Sequence, residues 1–119
     1  MAEKENIVIE GIHIPNEIWD KLLECQGLIN KEHRQRVRGV EHNEDPVTQQ
    51  QLRTTVIPSM HKMVFTLMTG KAVNEDESLS AQIRPVLADA GQKAIWYAIF
   101  DRVLEVSTGK EPGHYGMRK

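Results

Sequence analysis

Lys31, His33, Arg34, Arg36 and Arg38 form the densest concentration of chemically competent side chains in this sequence. On a helix Lys31, Arg34 and Arg38 share one face, a spacing suited to contacting successive phosphates of a nucleic acid. Gln35 adds a hydrogen-bonding group beside them. Glu32 interrupts the run, however, and Glu41, Glu44 and Asp45 follow it closely. A basic segment so placed also serves as a solvated or protein-docking face that pairs with nearby carboxylates. We place that reading ahead of phosphate binding, and keep nucleic-acid binding through Lys31, Arg34, Arg36 and Arg38 as the alternative.

Other reactive residues are scattered. Five histidines invite a metal reading, but Cys25, His33 and His42 are too far apart for a metal clip, and no HExxH pair occurs. Cys25 falls on the apolar arc of its helix and reads as a small core residue rather than a nucleophile. The chain carries no GxSxG turn, no Gly-rich phosphate loop and no paired-carboxylate signature. We therefore expect no enzyme, no metal site and no cofactor.

Apolar residues in unusual places point instead to docking. The run Ala94 to Phe100 is apolar on all sides if helical, which a lone helix in water does not satisfy. Upstream, Leu79, Ile83, Val86, Leu87 and Ala90 form one stripe; downstream, Ile95, Ile99, Val103 and Val106 form another, roughly opposite at about 100° per residue. Read as one long helix with Gly91 at the changeover, this predicts two buried faces against two bodies. One is this chain and the other a partner protein or a second copy, held through Trp96, Ile99, Phe100 and Val103. Burial of each such side chain stabilises by roughly 1.5–3 kcal/mol. The competing reading covers that face with the N-terminal β element and the first helix, through Trp19 and Leu23. Phe65 projects from the polar side of its helix, so it is either covered by the β element or exposed as a contact.

The elements that position these residues follow from punctuation and period. Ile7 to Ile14 is β-branched and dense around Glu10-Gly11, one strand or a tiny hairpin. Pro15 and Asn16 open an amphipathic helix carrying Ile18, Trp19, Leu22, Leu23, Cys25 and Ile29, with its end uncertain near Gly27. Asn30 to Arg38 reads as a separate one- or two-turn piece ending at Gly39, and 40–46 as a loop. A second long helix spans about 47–69 with Leu52, Val56, Met60, Met63, Val64 and Leu67 on one face, stopping at Gly70. Pro58 predicts a kink or break after Ile57. Ser78 or Ser80 caps the last helix, and Pro85 is a candidate to split it. The fold class is mainly α, a three- to four-helix bundle with a short N-terminal β strand or hairpin.

At 119 residues, 39% apolar, 27% charged and net charge −2, the chain has room for one soluble domain over 1–119. Residues 1–6 and 110–119 are expected to be mobile. No apolar run approaches the ~20 residues of a membrane span. The charged start lacks a signal-peptide core, and a single cysteine fits a reducing compartment, so a cytoplasmic location is expected. The order strand, Pro, amphipathic helix, turn and second helix over 7–38 resembles a ribbon-helix-helix DNA-binding module. Its second helix, Lys31 to Arg38, lacks the apolar face of that family's dimer core, and we assign no family. The leading expectation is a non-enzymatic interaction protein: a regulator, inhibitor or assembly factor, of the kind phages and mobile elements encode. The alternative is a dimeric nucleic-acid-binding regulator using 31–38.

Overall fold

A computed structural model describes residues 7–108; the expected mobility of 1–6 and 110–119 concerns residues outside that range. The chain opens with a hairpin, β1 (Ile7–Ile9) and β2 (Ile12–Ile14), antiparallel with Ile7 opposite Ile14 and Ile9 opposite Ile12. Glu10 and Gly11 both adopt positive φ (50° and 83°), the twist a two-residue hairpin turn requires. Alternation then sorts the side chains: Ile7, Ile9, Ile12 and Ile14 face the core, while Val8 and His13 face solvent. A hairpin this short gains its stability from the helices beneath it.

Helix α1 (Asn16–Arg38) is one continuous element of 23 residues. The break expected near Gly27 is absent, and the basic segment is simply its C-terminal third. No turn separates two helices here, and a hairpin stands where a single strand would be, so the ribbon-helix-helix arrangement does not form.

Helix α2 spans 49–69 in three parts. A first turn, Gln49–Gln51, is capped by Thr48, whose hydroxyl accepts from the Gln51 amide (3.0 Å). A widened π-helical stretch, Leu52–Val56, follows, in which the Ile57 amide donates to the Leu52 carbonyl. Ordinary α-helix resumes over Ile57–Thr69 and ends at Gly70 in the left-handed conformation. The widened turn stands immediately ahead of Pro58, which has no amide hydrogen and crowds the carbonyl four residues back. The distortion expected at Pro58 is thus a π bulge, not a break.

The last helical stretch is two helices, α3 (Leu79–Ala88) and α4 (Ala90–Thr108). The Ser78 hydroxyl caps α3 by accepting from the Ala81 amide (3.0 Å), and Pro85 sits within α3 without splitting it. The break falls at Asp89, whose extended backbone (φ −88°, ψ 122°) ends α3. Its carboxylate accepts from the Gln92 amide (2.9 Å), capping α4. Gly91 leaves room for that cap: a Cβ there would stand 3.3 Å from the Asp89 Oδ2.

This break corrects the argument from two faces. Because α3 and α4 turn independently about Asp89, Ile83 and Val86 of one and Trp96, Ile99 and Val103 of the other enter the same core. The core also takes Ile14, Trp19, Leu22, Met60, Val64 and Phe65. No second body is needed to bury the second stripe. The result is a mainly helical protein, four helices with a two-stranded N-terminal hairpin.

Candidate functional site

The residues expected to receive a partner lie mostly inside the protein. Ile99 and Val103 are 0% exposed, Trp96 4% and Phe65 8%. Trp96 packs against Phe100 (ring centroids 5.3 Å) and His61 (5.5 Å). Phe65, on the supposedly polar side of α2, is covered because the hairpin lies across that side and β2 packs on α2. Of the five only Phe100 remains partly exposed.

The basic segment is likewise engaged within the chain. Arg34 is ion-paired with Glu44, and Lys31 reaches the same carboxylate at 4.0 Å. Arg36 donates through Nε and Nη2 to both oxygens of Glu32 (3.0–3.3 Å). Arg38 is exposed at the helix end. Three of the four cations expected to meet phosphates therefore face carboxylates of their own chain. Arg36 and Arg38, in the last turn, also sit where positive charge offsets the negative end of the helix dipole.

What sequence reasoning missed is a buried polar stripe on α1. Beyond the core positions Trp19 and Leu22, the same helix also buries Gln26, Glu32 and Gln35, each only 6–8% exposed. Each has a defined task. The Gln35 amide donates to the Asp45 carbonyl (3.2 Å) and its Oε1 accepts from the Val47 amide (2.9 Å), clamping the 39–48 loop onto α1. Gln26 donates to Asn30 (3.1 Å), and Asn30 donates to the Ser107 hydroxyl on α4 (2.8 Å). The second bond ties the body of α1 to the C-terminal end of α4, and the first, within α1, orients Asn30 for it. Part of the signal was present as spacing: Leu22, Gln26 and Ile29 share one face, and Glu32 and Gln35 follow by steps of three that carry the buried edge around the helix as it turns polar.

A cleft of about 560 Å³ opens between α1, the first half of α2 and α4. Its apolar floor comes from all three helices: Ile29, Leu52, Ile57, Phe100 and Leu104. The ion pair Glu32–Arg36 stands on the α1 side, Arg53 on the α2 side and Asp101 on the α4 side. The π bulge runs along one wall, contributing Leu52 and Arg53. Hydrogen bonds from Arg36 hold the Glu32 carboxyl below its ordinary 4.5, the cost of its burial notwithstanding. A carboxylate so held is poorly matched to acid–base work near neutrality.

The other reactive groups are quiet. Burial pushes the Cys25 thiol up, with a Ser59 hydrogen bond only partly offsetting it, so it is a weak nucleophile. Among the described residues no three His, Cys, Asp or Glu side chains are grouped to hold a metal ion, and no helix is long and apolar enough to cross a membrane.

Burial beside Trp96 and Phe100 lowers the His61 imidazole below its ordinary 6.5. The unfolded chain then binds this proton at higher pH than the folded chain does, so stability falls as pH drops below 6.5. Glu32 and Glu44 act in a lower window. Both are held below 4.5 in the folded state, so the stability they contribute is present above that value and lost as pH falls beneath it. His61→Gln is expected to flatten the upper step and leave the lower one, read from urea midpoints across pH. An unchanged upper slope would remove His61 as its cause.

No protein-family model, no curated protein and no solved structure matches this chain, so its functional reading rests on its own geometry.

Proposed function

We propose that this chain is a small non-enzymatic docking protein, a regulator, inhibitor or assembly factor, that receives a partner protein in the cleft between α1, α2 and α4. The observation that carries this reading is the convergence of Ile29, Leu52, Ile57, Phe100 and Leu104, from three helices, on one open cleft. Ile57 and Leu104 are only half-buried and stand outside the main core cluster, so packing of the monomer leaves part of their apolar surface open, above the buried Leu52. Concave apolar surfaces with a few charged groups at the rim are where ligands and partner side chains are received. Action in the cytoplasm is part of the proposal, where the lone Cys25 stays a thiol.

The test is capture of partners on the tagged chain from a native lysate, half of it nuclease-treated. Retention of a stoichiometric protein after nuclease supports docking. Material lost with nuclease would overturn it and return Lys31, Arg34, Arg36 and Arg38 to the centre as a nucleic-acid surface.

A further inference from the structure

We infer that the occupant of the cleft is an amphipathic helix of the partner protein, with apolar side chains at i and i+4 on the floor. On its flanks it carries an acidic side chain toward Arg53 and a basic one toward Asp101. This rests on the docking reading above and goes beyond it by naming the chemistry of the occupant.

The charges around the cleft decide between occupants. Glu32 and Arg36 satisfy one another through three donor–acceptor contacts. Arg53 and Asp101 are different: among the described residues neither side chain has an ion pair or hydrogen bond. They belong to different helices and flank the same apolar floor, Arg53 from α2 and Asp101 from α4. A neutral apolar molecule would leave both charges unanswered and partly desolvated. An apolar anion would suit Arg53 but meet Asp101 and Glu32; an apolar cation would suit Asp101 but meet Arg53 and Arg36. An occupant bearing both signs on either side of an apolar stripe answers Arg53 and Asp101 together. A helix supplies that pattern directly, because its apolar i, i+4 positions and its two polar flanks are fixed relative to each other.

The rim charges fix orientation and partner choice more than raw affinity. Asp101 is partly buried and Arg53 exposed, so each reversal is expected to weaken binding by about three- to tenfold. Loss of the floor is expected to cost more.

The probe is a phage-displayed library of helix-forming peptides roughly 15 residues long, panned against the full chain. The expected winners carry apolar residues at i and i+4 with one acidic and one basic flank, and gain helical circular dichroism on binding. A synthetic winner should lose affinity for Arg53→Glu and for Asp101→Lys. It should regain affinity when the peptide's matching charge is reversed, a rescue that a merely misfolded variant would not show. Winners that lose affinity for Leu104→Arg yet ignore both reversals, or bind without becoming helical, would overturn the helix assignment and leave cleft docking standing. Winners indifferent to Leu104→Arg, or no enrichment at all, would overturn both.

Discussion

Trp96→Ala is expected to lower the unfolding free energy by about 3–5 kcal/mol, the range for truncating a buried aromatic. Trp96 is 4% exposed and packs at a tilt against Phe100 and His61 where α2 meets α4. An aromatic of this size covers about 150–250 Å², and its truncation leaves a cavity that neighbours fill only in part. Since a domain this small is stable by only about 5–15 kcal/mol, the single change removes a large share. The double variant Trp96→Ala with Phe100→Ala should lose its helical signal at ambient temperature. Urea unfolding followed by circular dichroism reads both. A soluble, helical double variant with an unchanged midpoint would show that these rings are not core, and would restore them as a partner surface.

Leu104→Arg is expected to do the opposite: little to stability and much to docking. Leu104 is partly buried, outside the core cluster and on the cleft floor. Its replacement should shift unfolding by no more than about 0.5–1 kcal/mol, as for positions away from the core. A central floor residue of an interface costs about 2 kcal/mol or more when lost, which is roughly a thirtyfold drop in affinity. Val106→Arg is the control. It changes an exposed valine of the same helix, 45% accessible and absent from the cleft, and should leave partner binding intact. Equal losses from Leu104→Arg and Val106→Arg would mean that the contact surface is not the cleft.

Much of the fold was legible in the chain because its signals are local. Pro15 opening α1, Ser78 as a cap, Gly70 as a stop and the Glu10-Gly11 turn each act through the backbone of neighbouring residues. The break at Asp89 was the costly omission. An Asp that ends one helix and caps the next looks, by composition, like any polar residue on a helix surface. Missing it turned a change of helix into a change of face, and made Trp96, Ile99 and Val103 look available to a partner.

The candidate site was less legible, for a physical reason. Its walls include Gln26 and Glu32 of α1, which with Gln35 beside them are buried although polar. Hydropathy reads such residues as solvated, yet each is held by a specific bond: to Asn30, to Arg36, or to the backbone of the 39–48 loop. Phe65 was legible only as a choice between cover by the β element and exposure as a contact, and the hairpin folded across α2 gives the first. The cleft exists because α1, α2 and α4 converge there, and no single helix carries its pattern.

The most direct test of the account is methyl NMR of the labelled chain titrated with the captured partner. The methyl signals of Ile29, Leu52, Ile57 and Leu104 should shift together and saturate at one stoichiometry, while those of Val8, Ile12 and Leu79 hold still. Shifts confined to the hairpin and α3, with the four cleft methyls unmoved, would contradict it.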